Sequence, residues 1–268
     1  MSEIKVTIGK GSEFVTGAEP FEIEESACEG MAFERVVIES PVEKIGNGAF
    51  AGCDKLKSVV IPSSVREIGM YAFSGCSGLT SVVIPEGVTA IGDSAFHGCN
   101  GLTSVVFPSS LKAIGYEAFS GCKSLTSVTI PDSVTELGDR AFEDCCSLTS
   151  VTIPAGVREI GRATFAGCTG LTSVAIPEGV TSIFFRAFQG CTGLTSVEIP
   201  ESVTRIRSGA FQGCTALASV VIPDSALEFE ETAFDGCPCR DELLAQHADR
   251  IMNVEKLLKR KQNGRKLF

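Results

Sequence analysis

The stretch Leu79-Thr80-Ser81-Val82-Val83-Ile84-Pro85-Glu86-Gly87-Val88-Thr89-Ala90-Ile91-Gly92-Asp93-Ser94-Ala95-Phe96-His97-Gly98-Cys99, completed by Asn100 and Gly101, is one turn of a 23-residue period. Working outward from it, a Phe recurs at Phe50, Phe73, Phe96, Phe119, Phe142, Phe165, Phe188, Phe211 and Phe234, and a Cys follows three residues after each, from Cys53 to Cys237. Self-similarity of this length marks a solenoid, in which each unit buries its apolar face only against its neighbours.

Within the unit, Val82 and Ile84 alternate with Ser81 and Val83, as in a strand with one buried face. Pro85 removes a ladder donor and ends that strand. Val88 to Ile91 predicts a second, shorter strand closing at Gly92, whose access to positive φ suits a corner. Ala95, Phe96 and Cys99 then fall on one face of a single helical turn. At one strand spacing per repeat, nine layers build a rod or arc of roughly 40 Å.

The pattern Leu-x-x-Val-x-Ile-Pro-x-x-Val-x-x-Ile-Gly-x-x-Ala-Phe-x-x-Cys resembles the BspA-type leucine-rich repeat family across about residues 33–239. The resemblance implies a leucine-rich-repeat solenoid of the α/β horseshoe type, β-rich and right-handed, with a parallel sheet along one face and short helical turns. It also implies binding of proteins or surfaces rather than catalysis, and relatives that are often cell-surface or adhesion proteins.

Three regions are expected: an N-terminal cap at 1–32, about nine repeats at 33–239, and a C-terminal capping helix with a basic tail at 240–268. In the cap, Ile4-Lys5-Val6-Thr7-Ile8 alternates like a strand suited to covering the first sheet edge. After Cys239, Leu243, Leu244, His247, Ile251, Val254, Leu257 and Leu258 fall at helical spacing, which predicts an amphipathic helix that caps the last repeat or, alternatively, forms a homodimer or partner contact. The run from Lys259 to Lys266 reads as a solvated terminus or as a phosphate-binding or nuclear-localisation patch.

Residues 241–268 carry seven Lys/Arg against four Asp/Glu, leaving 16 against 29 in the rest of a chain of formal charge −10. An acidic body argues against nucleic-acid binding. No apolar run is long enough to insert in a membrane, and Met1-Ser2-Glu3-Ile4-Lys5-Val6 lacks the apolar region of a secretory signal, so a cytoplasmic location is expected, with cell surface or secreted as the alternative. The nine ladder cysteines are expected as buried free thiols, since equivalent side chains on successive coils point in parallel.

Catalytic constellations are poorly supplied. There are two His, and no metalloprotease, nucleophile-elbow, P-loop or dinucleotide motif. No cofactor or metal is expected, because Cys237-Pro238-Cys239 and Cys145-Cys146 find no second pair to complete a zinc site.

Two surfaces are candidates for binding a protein partner. One is the outward face of the sheet, with Ser104, Ser127, Ser150 and Ser173 in one column and Glu198 in the next. The other lies where the corner glycines Gly69, Gly92, Gly115, Gly138 and Gly161 give way to Phe184, Arg207 and Glu230. There Phe184, Phe185, Arg162, Arg186, Arg205 and Arg207 are expected to form an aromatic and basic patch, the residue types enriched in interface hot spots. The reading is a non-enzymatic protein-protein interaction scaffold, with a cell-surface adhesin or host-binding antigen as the alternative. The row Thr80, Thr103, Thr126, Thr149, Thr172, Thr195 offers a third reading, binding to an ordered surface such as ice or glycan.

Overall fold

In a computed structural model, which describes residues 5–8, 12–15, 22–39, 42–224, 228–249 and 251–252, the chain winds as a parallel β-solenoid with one coil per repeat. Each coil has three walls. The front wall is a three-residue strand such as Ser81–Val83, paired in register with Ser104–Val106 on the next coil. The side wall is a two-residue strand such as Ala90–Ile91, paired with Ala113–Ile114. Strand side chains alternate as the sequence predicts: Val82 and Ile91 are buried, whereas Ser81, Val83 and Ala90 are exposed.

The third wall differs from the expected helical turn. It is a run of β-turns in which alternate amides serve two ladders. The amides of Ala95, His97 and Cys99 close local turns onto the carbonyls of Gly92, Ser94 and Phe96, at 3.2, 3.0 and 3.2 Å. Those of Ser94, Phe96 and Gly98 donate to Tyr116, Ala118 and Ser120 on the next coil, at 2.7, 2.8 and 2.8 Å. Positive φ at Ser94 (53°) and Gly98 (69°) interrupts any helix.

The expected reason for the corner glycines is also corrected. Gly92 does not lie at positive φ; a Cβ there would come within 2.6 Å of the Gly69 carbonyl carbon on the preceding coil. Close approach of two backbones, not left-handed conformation, demands glycine.

The core is a single column. The nine Phe rings stack with centroids 5.2 to 5.7 Å apart and planes within 9° of parallel. Beside them every ladder Cys is a buried free thiol. Each donates to a backbone carbonyl of the preceding coil, as Cys122 Sγ does to Phe96 O at 3.3 Å. That oxygen also accepts the amide of Cys99, so the thiol fills its second lone pair.

The first sheet edge is covered by strands outside the repeat, and a partial coil precedes the first full one: the amides of Ser26, Cys28 and Gly30 donate to Asn47, Ala49 and Ala51 as in the turn wall. Lys5–Ile8 pairs antiparallel with Arg35–Ile38, and Ser12–Val15 pairs with Lys5–Ile8, closing the front sheet at its first edge. Glu22–Ile23 adds a side strand ahead of Lys44–Ile45. At the other end a helix, Arg240–Gln246, buries Leu243 against the core, with Leu244 packed beside it. It stops well short of the length its spacing predicts. Ile251–Met252 instead pairs parallel with Glu228–Glu230, in the register Phe229 to Ile251, and continues the side sheet. There it pairs the last edge of the side sheet, which a longer helix would leave open. Val254, Leu257, Leu258 and the basic run from Lys259 lie outside the described residues.

Candidate functional site

The structure brings part of the expected patch together and leaves part of it apart. Arg162, Phe185 and Arg186 line one cavity of about 340 Å³ on the turn wall, with Arg140, Glu143, Ala163, Gln189 and Ser208. The Arg162 guanidinium lies over the Phe185 ring, 5.7 Å from its centroid. Phe185 is itself 37% exposed. Phe184 and Arg207 belong to the adjoining corner column outside the lining, and Arg207 is matched by Glu230 at 3.6 Å. Arg205 stands on the outer face of the side sheet, two residues before Arg207.

Sequence reasoning missed Arg140 and Glu143, which a comparison by columns would have found. The left-handed position of successive coils is occupied by Tyr71, Ser94, Glu117, Arg140, Ala163 and Arg186, all with φ between 53 and 59°. Three residues on, Glu143, Ala166 and Gln189 follow one another. Ala163 and Ala166 therefore put two small side chains on one coil between coils bearing Arg140 with Glu143 and Arg186 with Gln189. The cavity is the resulting notch, one coil wide, with Ala163 at its floor.

The charges in its walls are unequally matched. Arg140 contacts Glu117 at 3.3 Å and Glu143 at 3.9 Å. Burial pushes the Glu143 carboxyl above its ordinary pKa, with Arg140 opposing. Among the described residues no carboxylate lies within ion-pair distance of Arg162 or Arg186. The Gln189 amide is turned to the following coil, donating to Gln212 at 3.0 Å.

On the front wall, Ser104, Ser127, Ser150, Ser173 and Glu198 are all exposed on one face. Glu198 borders a depression of about 380 Å³ with Val174, Ala175, Ile176, Glu178 and Pro200. Val60, Val83 and Val106 make the start of this face apolar and exposed. The Thr row is already engaged: Thr80, Thr103, Thr126, Thr149 and Thr172 each donate a hydroxyl to a carbonyl of the preceding coil, at 3.0 to 3.4 Å. Those hydroxyls reinforce the ladder, which weakens the case for an ordered-surface binder.

Among the described residues no group of three or more His, Cys, Asp or Glu is placed to hold a metal ion, and no helix is long and apolar enough to cross a membrane.

A parallel solenoid of 23-residue coils with regular columns of buried Leu, Ile, Phe and Cys defines a leucine-rich-repeat protein. The chain belongs to the BspA type leucine-rich repeat family, whose six-copy region model matches residues 21–146 and again 136–252. It is similar to the crystal structure of the T. pallidum Leucine Rich Repeat protein: 41% identity over 60% of this chain and 78% of that one, with a TM-score of 0.57. A leucine-rich repeat protein from Eubacterium ventriosum ATCC 27560 matches at 25% identity and a TM-score of 0.62, over 76% of this chain and 59% of that chain's length. A leucine rich cell surface protein from Faecalibacterium prausnitzii A2-165 matches at 29% identity and a TM-score of 0.48, over 81% of this chain and 74% of that one. No curated protein matches the chain.

Proposed function

We propose that the chain is a non-enzymatic scaffold that binds a protein partner through the broken corner, with the Ser-lined front sheet as the second surface. The observation that carries this reading is the notch: two arginines with no carboxylate at ion-pair distance among the described residues and an exposed Phe, gathered in a concavity on a chain of net charge −10. Arg and aromatic side chains in a desolvated pocket are what dominate protein interfaces energetically. Phe184, Arg205 and Arg207 serve as the rim of this surface rather than its centre.

The division into a cap at 1–32, repeats at 33–239 and a terminal cap at 240–268 is part of the proposal. Leu243 and Leu244 are already packed on the last coil, which supports capping over a homodimer through that helix. The cytoplasm remains the first location proposed; the ladder thiols are buried and set in parallel, so their being unpaired follows from the coil geometry in either compartment. Membership of the BspA type family supports the alternative, an adhesin or host-binding antigen at the cell surface. Protease treatment of intact source cells separates the two, since only a surface protein is cleaved.

The test is affinity capture from source lysate with the parent, a Phe185→Asp, Arg186→Glu variant, and a Ser127→Arg, Ser150→Arg variant. A partner lost with the first variant supports the corner. One lost only with the second moves the site to the front sheet. Absence of any partner would overturn the scaffold reading.

A further inference from the structure

We infer that the notch over Ala163 receives a carboxylate side chain from an acidic peptide segment of the partner, held by Arg186 as Glu117 is held by Arg140. This rests on the corner being the binding surface and names the chemistry it selects.

The chain supplies its own precedent. Glu117 and Arg140 occupy the same left-handed position on successive coils, with φ of 53 and 58°, and their side chains meet at 3.3 Å. Ala163 and Arg186 repeat that backbone, with φ of 53 and 59°. The second pair thus repeats the backbone frame but replaces the glutamate with a methyl group, and the Arg186 Cγ leans toward Gly209 of the following coil, so its guanidinium must swing back to meet an incoming carboxylate. A carboxylate offered from outside can meet Arg186 where Glu117 meets Arg140, and Arg162, anchored on Phe185, supplies a second cation from the same rim.

Two features favour a carboxylate over a phosphate. The first is the Glu117 precedent itself. The second is Glu143 in the facing wall, 3.9 Å from Arg140, which repels a dianion more than a monoanion. The floor of Ala163 and the face of Phe185 accommodate the methylene groups of the incoming side chain.

The test is direct binding of a fluorescein-labelled decapeptide of alternating Glu and Gly to the full-length chain by anisotropy at low ionic strength. Matched peptides carry Gln or phosphoserine in place of Glu. The Glu peptide is expected to bind, the Gln peptide to bind at least about tenfold more weakly, and the affinity to fall as salt screens the pair. Arg186→Gln is expected to weaken the Glu peptide by about tenfold or more. Ala163→Glu should do the same by supplying the carboxylate internally, and Glu117 shows that the position accepts that residue at the same φ. Lys123→Gln, an equal loss of charge at an exposed position on another coil, should change affinity by less than about twofold. Unaltered binding by Arg186→Gln and Ala163→Glu, tighter binding of the phosphoserine peptide, or no binding of the Glu peptide would each overturn the assignment. A natural partner that still depends on Phe185 and Arg186 while the Glu peptide fails would leave the scaffold reading intact and remove only this one.

Discussion

Thr164 stands where every other Phe-bearing coil has Ala, directly before the spine Phe, and its hydroxyl is fully buried with no hydrogen-bond partner among the described residues. An orphaned buried hydroxyl costs about 1–3 kcal/mol. Its amide also reaches Gly161 at 3.5 Å, against 3.2 Å for the equivalent Ala95 to Gly92 bond. Thr164→Ala is therefore expected to stabilise the fold by about 1 kcal/mol, read as a higher urea midpoint at unchanged slope. The thiols supply a second prediction. Burial pushes Cys28 and Cys99 up to about 12, and Cys122, Cys145 and Cys168 well above the ordinary thiol value of 9.0. Below pH 9 both folded and unfolded states hold these protons. Above it only the unfolded state releases them, so stability falls as pH rises toward the folded values, by about 1.4 kcal/mol per unit for each thiol. Urea midpoints should stay flat from pH 7 to 8.5 and drop steeply by pH 10. In native protein at pH 8 only the partly exposed Cys146 should react with a thiol reagent, and the others only on unfolding.

At the scale of elements, the helix Arg240–Gln246 and the strand Ile251–Met252 share the work of ending the array. Leu243→Asp buries an unpaired carboxylate against the last coil and should cost about 3 kcal/mol, lowering the thermal midpoint while leaving far-UV dichroism at low temperature nearly unchanged. The alternation of Ser81, Val82 and Val83 and the Pro breaks fixed the front strands in advance, because a two-residue period has one structural meaning. The turn wall was less legible. Ala95, Phe96 and Cys99 share a face in a helical turn and in a run of β-turns alike, and the choice depends on whether alternate amides find carbonyls one coil away. The corner glycines likewise look alike whether demanded by φ or by a neighbouring backbone. The capping helix was misjudged in length because Ile251 fits both an i+4 step from His247 and the inward column of the side sheet. At the site, Arg162, Phe185 and Arg186 were visible as breaks in columns. Arg140 and Glu143 were not, since an arginine and a glutamate in half-buried, variable columns break no pattern until Ala163 and Ala166 are seen between them and the next coil.

Across the whole molecule the coils are not equally joined. The ring spacing of the spine is 5.2 Å at Phe96–Phe119, widens to 5.7 Å at Phe142–Phe165, and returns to 5.2 Å at Phe188–Phe211. At that widest joint the side sheet is interrupted, with Glu136–Leu137 ending one sheet and Glu159–Ile160 beginning another. Leu137, Asp144 and Thr164 replace the Ile, Gly and Ala of their columns in the same two coils. The corner relaxes too: a Cβ on Gly161 would meet the Asp139 and Thr164 side chains, whereas one on Gly138 would strike the Gly115 backbone at 2.5 Å. Phe184, Arg207 and Glu230 follow in that column, and the notch left by Ala163 and Ala166 opens beside this joint. In a repeat array, stability is the sum of coil and interface terms, so the weakest interface sets where the chain opens first. Native-state hydrogen exchange should show the amides linking these two coils, those of Arg140, Phe142 and Asp144, exchanging faster than Ser94, Phe96 and Gly98, although both sets make bonds of 2.7 to 2.9 Å. Thr164→Ala should slow the first set selectively. Uniform exchange along the array, or equal slowing of both sets by the substitution, would show that the joint is only a geometric feature and that the molecule opens as one cooperative unit.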